Sequence, residues 1–171
     1  MPELGLIVRV YRLSNFFKSA CVILVLSMVM FLVGMSTPYW VTIGLQKSSG
    51  LWQHCGSDSD CEILHNPPKP LHACQALEII SLLMYMGLII LALLYMLHSA
   101  FEKSTVILAT IVLSFTSAFT MLVGVIIYGT KVKEDLAGTG VAWSLWLVVI
   151  SALMNIAVGT LFVLHKKART C

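Results

Sequence analysis

Four long apolar runs divide the chain and restrict how it can fold. They cover residues 19–39, 73–97, 105–128 and 141–164, and Glu78 is the only charged residue inside them. At about 1.5 Å per residue, a helix over the first run covers roughly 31 Å, enough to cross a hydrocarbon core of about 30 Å. Residues of the apolar class make up 58% of the chain and charged residues only 11%, with a mean hydropathy of +0.92. A multispanning membrane protein is therefore predicted.

The first run could instead be a signal peptide, because Gly34-Met35-Ser36 has the small residues of a cleavage site. We favour a retained helix, since the run is longer than the 7–15 apolar residues of a signal peptide. The sequence thus predicts an all-α membrane protein in one domain, residues 1–171. Its four transmembrane helices form a left-handed bundle, and its two loops, residues 40–72 and 129–140, lie on one side.

Lysines and arginines are unevenly distributed between the two sides of this arrangement. Seven lie in the N-terminal flank, the turn at residues 98–104 and the tail, whereas the two loops hold four. Because positive residues concentrate on the cytosolic side of membrane proteins, both termini are predicted to be cytosolic. The four in the loops are Lys47, Lys69, Lys131 and Lys133.

The first loop carries a more ordered pattern than a connection between helices requires. Trp40 opens it, Gly50-Leu51-Trp52 follows, and Cys55 and Cys61 come next, with polar residues in between. Tryptophan is amphipathic and favours the boundary between water and lipid. The loop therefore suits a small platform held against the membrane, with a short β-hairpin. We expect the membrane boundary to fix Trp40, Gly50 to free the backbone, and Trp52 to anchor the platform.

Two cysteines of the first loop are close enough in sequence to form a small disulfide-closed ring. A Cys55–Cys61 bridge would contribute about 2.4 kcal/mol by loop entropy. The positive-residue bias places both cysteines in an oxidising compartment, where a disulfide persists. The rival is a zinc site, but the spacings match no known zinc motif. Its ligands would come from His54, Cys55, Cys61, His65, His72 and Cys74.

Glu78 stands out because a carboxylate within a bilayer is costly and marks a functional candidate. It lies about one turn from the loop side, where its side chain could extend to water. His72, Gln75 and Glu78 follow at three-residue steps and should share one helix face. We favour a structural polar cap over an ion site. On the fourth run, Ser151, Asn155 and Gly159 recur every four residues, a pattern typical of helix packing in lipid.

The sequence contains no motif for catalysis, phosphate binding or nucleic-acid binding, and an enzyme or a resident cofactor or metal is not expected. Cys21 and Cys171 are candidate palmitoylation sites, near the cytosolic end of the first run and at the tail.

The pattern Trp40…Gly50-Leu51-Trp52…Cys55…Cys61 resembles the W–GLW–C–C signature of the claudin superfamily. That group includes claudins, peripheral myelin protein, the epithelial membrane proteins and the lens fibre membrane protein. Residues 71–77 look like the start of the family's second helix and residues 140–146 like the start of its fourth. The short spacing between Trp40 and Gly50 is more similar to the myelin, epithelial and lens branch than to claudins.

The sequence also departs from the claudin pattern at several places. The tail lacks the terminal valine that binds PDZ domains, and Gln75 stands where claudins usually have an arginine. Only a short segment separates Cys61 from Leu71, so little room is expected for a full extracellular sheet.

The resemblance implies a structural protein of cell–cell contact or membrane organisation that acts through its first loop. Its partners would be the lipid bilayer and either itself or other membrane proteins. The resemblance implies the plasma membrane, including cell junctions, as its location. An auxiliary subunit of a channel or receptor is the alternative, and a small-solute or ion pathway at Glu78 is a weaker one.

Overall fold

The computed structural model describes residues 14–44, 47–56, 60–65, 67–98, 104–132 and 139–170. These residues form four long helices, each long and apolar enough to cross a membrane. They are α1 (Asn15–Ser36), α2 (Lys69–Leu97), α3 (Ser104–Ile127), which a π-helical turn continues (Tyr128–Val132), and α4 (Trp143–Thr170). The predicted four-span helical membrane fold is confirmed.

Two helix ends differ from the sequence-based expectation. The second apolar run begins at residue 73, yet α2 begins four residues earlier at Lys69 and contains Pro70 in its first turn. Proline is tolerated there because the first N–H groups of a helix have no partner within it. Likewise, α4 continues through the basic tail to Thr170. Positive residues near the C-terminus of a helix are favourable because of the helix dipole.

The buried residues of α2 recur at alternating steps of three and four. A repeat of 3.5 residues per turn makes helices wind around each other with a left-handed twist. In the order of packing, α1 contacts α4, α4 contacts α3, and α3 contacts α2. Large rings fill the space between α1 and α2, as in the stacked pair Phe31 and Tyr85. The α2 stripe is Leu71, Cys74, Glu78, Ser81, Tyr85, Leu88, Ala92 and Tyr95.

The small and polar residues of α4 pack against other helices of the same chain. Ser151 donates a hydrogen bond to the carbonyl oxygen of Ser27 on α1, at 2.8 Å. Asn155 contacts α3, where its amide group bonds to Ser117. A Cβ atom on Gly159 would lie 3.0 Å from the ring of Phe115. These residues therefore bring α4 close to its neighbours, as their spacing predicts.

A five-stranded antiparallel sheet covers one end of the bundle. Its strand order is β4-β3-β2-β1-β5, and β5 comes from the segment before α4. The expectation of little room for a sheet is wrong, because each strand needs only three residues and the second loop supplies the fifth. We call this sheet the roof. Its strands are β1 (Val41–Ile43), β2 (Lys47–Ser49), β3 (Gln53–Cys55), β4 (Cys61–Ile63) and β5 (Thr139–Val141).

Candidate functional site

The turn between β2 and β3 inserts into the end of the bundle and fixes the roof there. Leu51 at its centre is fully buried. Gln75 on α2 donates a hydrogen bond from Nε2 to the carbonyl oxygen of Leu51, at 2.8 Å. Tyr128 at the end of α3 donates its hydroxyl to the carbonyl oxygen of Ser49, at 3.3 Å. Two helices thus hold the backbone on either side of Gly50.

Trp40, not Trp52, is the tryptophan that seats the roof. The Trp40 side chain is fully buried, and its ring packs edge-on against that of Tyr128, with centroids 4.8 Å apart. Its indole nitrogen donates to the carbonyl oxygen of Gly34. Trp52 is only partly buried. Trp52, the predicted anchor, packs against the core with a partly buried ring, whereas the chain turns back after α1 and directs Trp40 beneath the sheet.

Gly50 is needed for a close approach between two backbone segments. A Cβ atom on Gly50 would lie 2.6 Å from both the Cα atom of Pro38 and the carbonyl oxygen of Thr37. No side chain fits at these distances. The expected role in freeing the backbone is thus replaced by a steric one, since glycine lets the turn lie directly against the end of α1.

Cys55 and Cys61 form a disulfide, as predicted, with an S–S distance of 2.03 Å. The two residues lie directly opposite each other on β3 and β4, so the bond ties the outermost strand to the rest of the roof. Cys74 is a buried free thiol on α2, and Cys21 is a partly buried one on α1. Cys171 lies outside the described residues. Among those residues, no group of three or more metal-binding side chains is present.

Glu78 lies inside the bundle. Its side chain does not extend to water, contrary to our expectation. Its side chain is fully buried, and neither carboxyl oxygen has a hydrogen-bond partner within the described part of the chain. Glu78 belongs to the inward-facing stripe of α2, which directs it toward α3. A Cβ atom on Gly124 would lie 2.6 Å from Oε1 of Glu78. Gly124 therefore provides the space that the carboxyl group occupies.

The three polar residues at the start of α2 have different surroundings. His72 is exposed, Gln75 bonds to the roof, and Glu78 is enclosed within the bundle. They do not form one polar cap. Residues three positions apart lie on neighbouring rows of the helix surface. A rotation of the helix about its axis by a few tens of degrees therefore decides which of them faces the interior.

Exposed aromatic rings mark the bundle end that carries the roof. The rings of Tyr39 and Trp143 stack with centroids 5.8 Å apart, and Trp146 is 56% exposed. Tyrosine and tryptophan gather where the bilayer meets water. This group therefore fits a boundary at the start of α4, directly below β5.

Sequence reasoning missed Tyr128 and Gly124, which complete the site from α3. Tyr128 ends the third apolar run and was counted only as part of it, although a tyrosine at the end of a span is a recognisable signal for a polar contact at the boundary. Gly124 gives no local signal, because its role depends on Glu78 on another helix.

A comparison with models of known protein families matches residues 12–162 to the PMP-22/EMP/MP20/Claudin family. The match begins before α1, includes the whole roof and extends into α4. A search of curated proteins gives no match.

Proposed function

Because the chain belongs to the PMP-22/EMP/MP20/Claudin family, we propose that it is a structural membrane protein that makes contacts through its roof. The family is one of non-enzymatic membrane proteins, and the four helices embed the chain in the bilayer. Its contacts would be with copies of itself, either on an apposed membrane or side by side in one membrane. A catalytic role is not proposed.

The observation that carries this proposal is an exposed edge strand on a firmly seated sheet. All three residues of β4 are exposed, and the Ile63 side chain is 64% exposed. An edge strand presents backbone N–H and C=O groups that can pair with another chain. The disulfide and the contacts of Leu51 hold this edge in a fixed position, which reduces the entropy lost when a partner binds.

We propose that the roof faces the extracellular side and that both termini are cytosolic. The charge bias supports this orientation, since only four of the eleven lysines and arginines fall in the two loops, whereas seven fall in the terminal flanks and the turn at residues 98–104 of the sequence. A disulfide in the roof fits an oxidising compartment. The proposed location is the plasma membrane. On intact cells, an epitope at either terminus should be inaccessible to antibody, whereas one inserted at Ser57 should be accessible.

The weaker alternative of a solute pathway has less support. Large side chains fill the bundle axis below the roof, namely Trp40, Leu51, Tyr128, Tyr85 and Phe31. A pathway past Glu78 would require several of them to move.

The proposed contact can be tested with cells that express the full-length protein. Two cell populations that carry differently tagged copies of the protein are mixed, and cell aggregation is scored. In mild detergent, one tag is pulled down and the copy with the other tag is measured. Wild-type cells should aggregate or yield both tags, and Glu62→Lys with Ile63→Asp should abolish this. Lys47→Glu is the control, because Lys47 is exposed on the roof but away from the β4 edge. Recovery of a channel or receptor subunit without self-association would support the auxiliary alternative and contradict the proposal.

A further inference from the structure

Glu78 is one of three buried side chains at the roof end of the bundle that carry an ionisable proton. Cys74 lies one turn nearer the roof on the same inward-facing stripe of α2, and Tyr128 follows α3 at the roof end of the bundle. All three side chains are fully buried. His72, the nearest basic residue in sequence on α2, is exposed instead. Within the described residues, the carboxyl group therefore lies among potential hydrogen-bond donors but bonds to none of them.

The two donors that hold the turn are close neighbours of this carboxyl group along the helices. Gln75 precedes Glu78 by three residues on α2, and Tyr128 follows Gly124 by four residues at the end of α3. Residues at these spacings lie next to each other on a helix surface. Glu78 and Gly124 therefore lie about one turn from the two residues whose side chains bond to the inserted turn.

We propose that the charge state of Glu78 controls whether the inserted turn stays bonded to the helices. With its carboxyl group uncharged, Gln75 and Tyr128 donate to the carbonyl oxygens of Leu51 and Ser49, as the structure shows. When the proton passes to water during a transient opening, the buried carboxylate is left unpaired and demands strong donors. It then attracts the Gln75 amide and the Tyr128 hydroxyl, and the turn loses both bonds.

The consequence is that the roof is held firmly when Glu78 is neutral and loosely when it is charged. Only an O–H bond breaks in the switching step, and the proton goes to solvent. This regulation goes beyond the proposed contact function and does not depend on which partner the roof binds. An experiment that reads the docking of the roof therefore tests it separately.

Cys74 provides a built-in reporter, because its thiol is buried beneath the turn. The full chain with Cys21→Ser and Cys171→Ser is placed in lipid nanodiscs, and the rate of Cys74 labelling by a maleimide is measured from about pH 5 to about pH 9. Each rate is divided by the rate for the same chain with Glu78→Gln at the same pH. The division removes the pH dependence that the two chains share. A charged Glu78 also disfavours the Cys74 thiolate and so lowers the ratio, which means that a rise can come only from opening of the roof.

We expect this ratio to be near one at low pH and to rise about tenfold or more toward high pH, since one proton controls the opening. A ratio that stays constant over the whole range would overturn the proposal. Gln75→Leu, which keeps Glu78, is the second variant. Its labelling should exceed that of the parent at low pH and converge with it at high pH. An excess in labelling rate that stays the same at every pH would also overturn the proposal. Helix content by circular dichroism verifies folding in each case.

Discussion

The indole nitrogen of Trp40 donates a hydrogen bond to the carbonyl oxygen of Gly34, 2.7 Å away. Gly34 lies in the last turn of α1, where carbonyl groups have no partner within the helix. Trp40 thus caps the helix it follows, while its ring fills the space between α1 and Tyr128. One side chain joins the end of a transmembrane helix to the underside of the roof.

The two tryptophans of the first loop should therefore differ in their effect on stability. Trp40→Ala removes a fully buried ring and a hydrogen bond, and changes of this kind cost about 3–5 kcal/mol. Trp52→Ala removes a partly buried ring and should cost less than half as much. Thermal unfolding in nanodiscs and protease cleavage of the roof measure the difference. Equal losses of stability in the two variants would show that the degree of burial does not decide which tryptophan anchors the roof.

Gly50→Ala should displace the turn from the end of α1. The added methyl group would lie 2.6 Å from Pro38, and both contacts at that distance are backbone atoms that cannot rotate away. Overpacking of this kind typically costs about 1–3 kcal/mol. Gly56→Ala is the matched control, because the nearest atom to its Cβ would be 3.9 Å away. Faster cleavage of the roof is expected for Gly50→Ala alone, and the same rate in both variants would contradict the steric role of Gly50.

The helices could be predicted from the sequence because each is encoded locally, as an apolar run long enough to cross a bilayer. The roof could not be predicted in full, since strands of three residues have no measurable periodicity. Thr42 on β1 also pairs with Gly140, from a distant part of the chain. The W–GLW–C–C residues were identified, but not their roles. Which tryptophan is buried depends on Gly34 and Tyr128, and no local pattern links these residues.

The cysteines of the roof and of α2 should differ in their chemical state. Cys55 and Cys61 should resist alkylation until a reductant is added, because they are bonded to each other. Cys74 is fully buried, so it should be labelled only after the roof opens. Mass spectrometry after alkylation of the native protein tests both points. Cys55→Ser and Cys61→Ser should each cost about 2.4 kcal/mol, as each removes the same ring; unequal costs would indicate a second role for one of them.

Glu78 and Gly124 should be energetically coupled. Gly124→Ala alone places a methyl group against the carboxyl oxygen and should destabilise the protein. The same change in a Glu78→Ala background should be neutral or stabilising, because the methyl group then fills part of the vacated space. A double-mutant cycle should give a coupling energy of about 1 kcal/mol or more. Additive effects would mean that the two residues do not share this space.

The two side chains that hold the inserted turn should contribute unequally, although each makes one hydrogen bond to the roof. Ser49 has a second donor for its carbonyl oxygen, the backbone N–H of Trp40 at 3.1 Å. Tyr128→Phe therefore leaves that oxygen bonded and should cost only about 0.5–1.5 kcal/mol.

Gln75→Leu removes the only side-chain hydrogen bond that the described structure shows at the carbonyl oxygen of Leu51. Leu51 is fully buried, so its carbonyl loses a partner in a site with little water, at a cost of about 1–3 kcal/mol. Tyr39→Phe is the control for loss of a tyrosine hydroxyl, since Tyr39 is 42% exposed and should tolerate the change. Unfolding temperatures in nanodiscs should fall in the order Tyr39→Phe, Tyr128→Phe, Gln75→Leu, with the last the least stable. If Tyr128→Phe lowers the unfolding temperature more than Gln75→Leu does, the hydroxyl of Tyr128 has a role beyond its bond to Ser49.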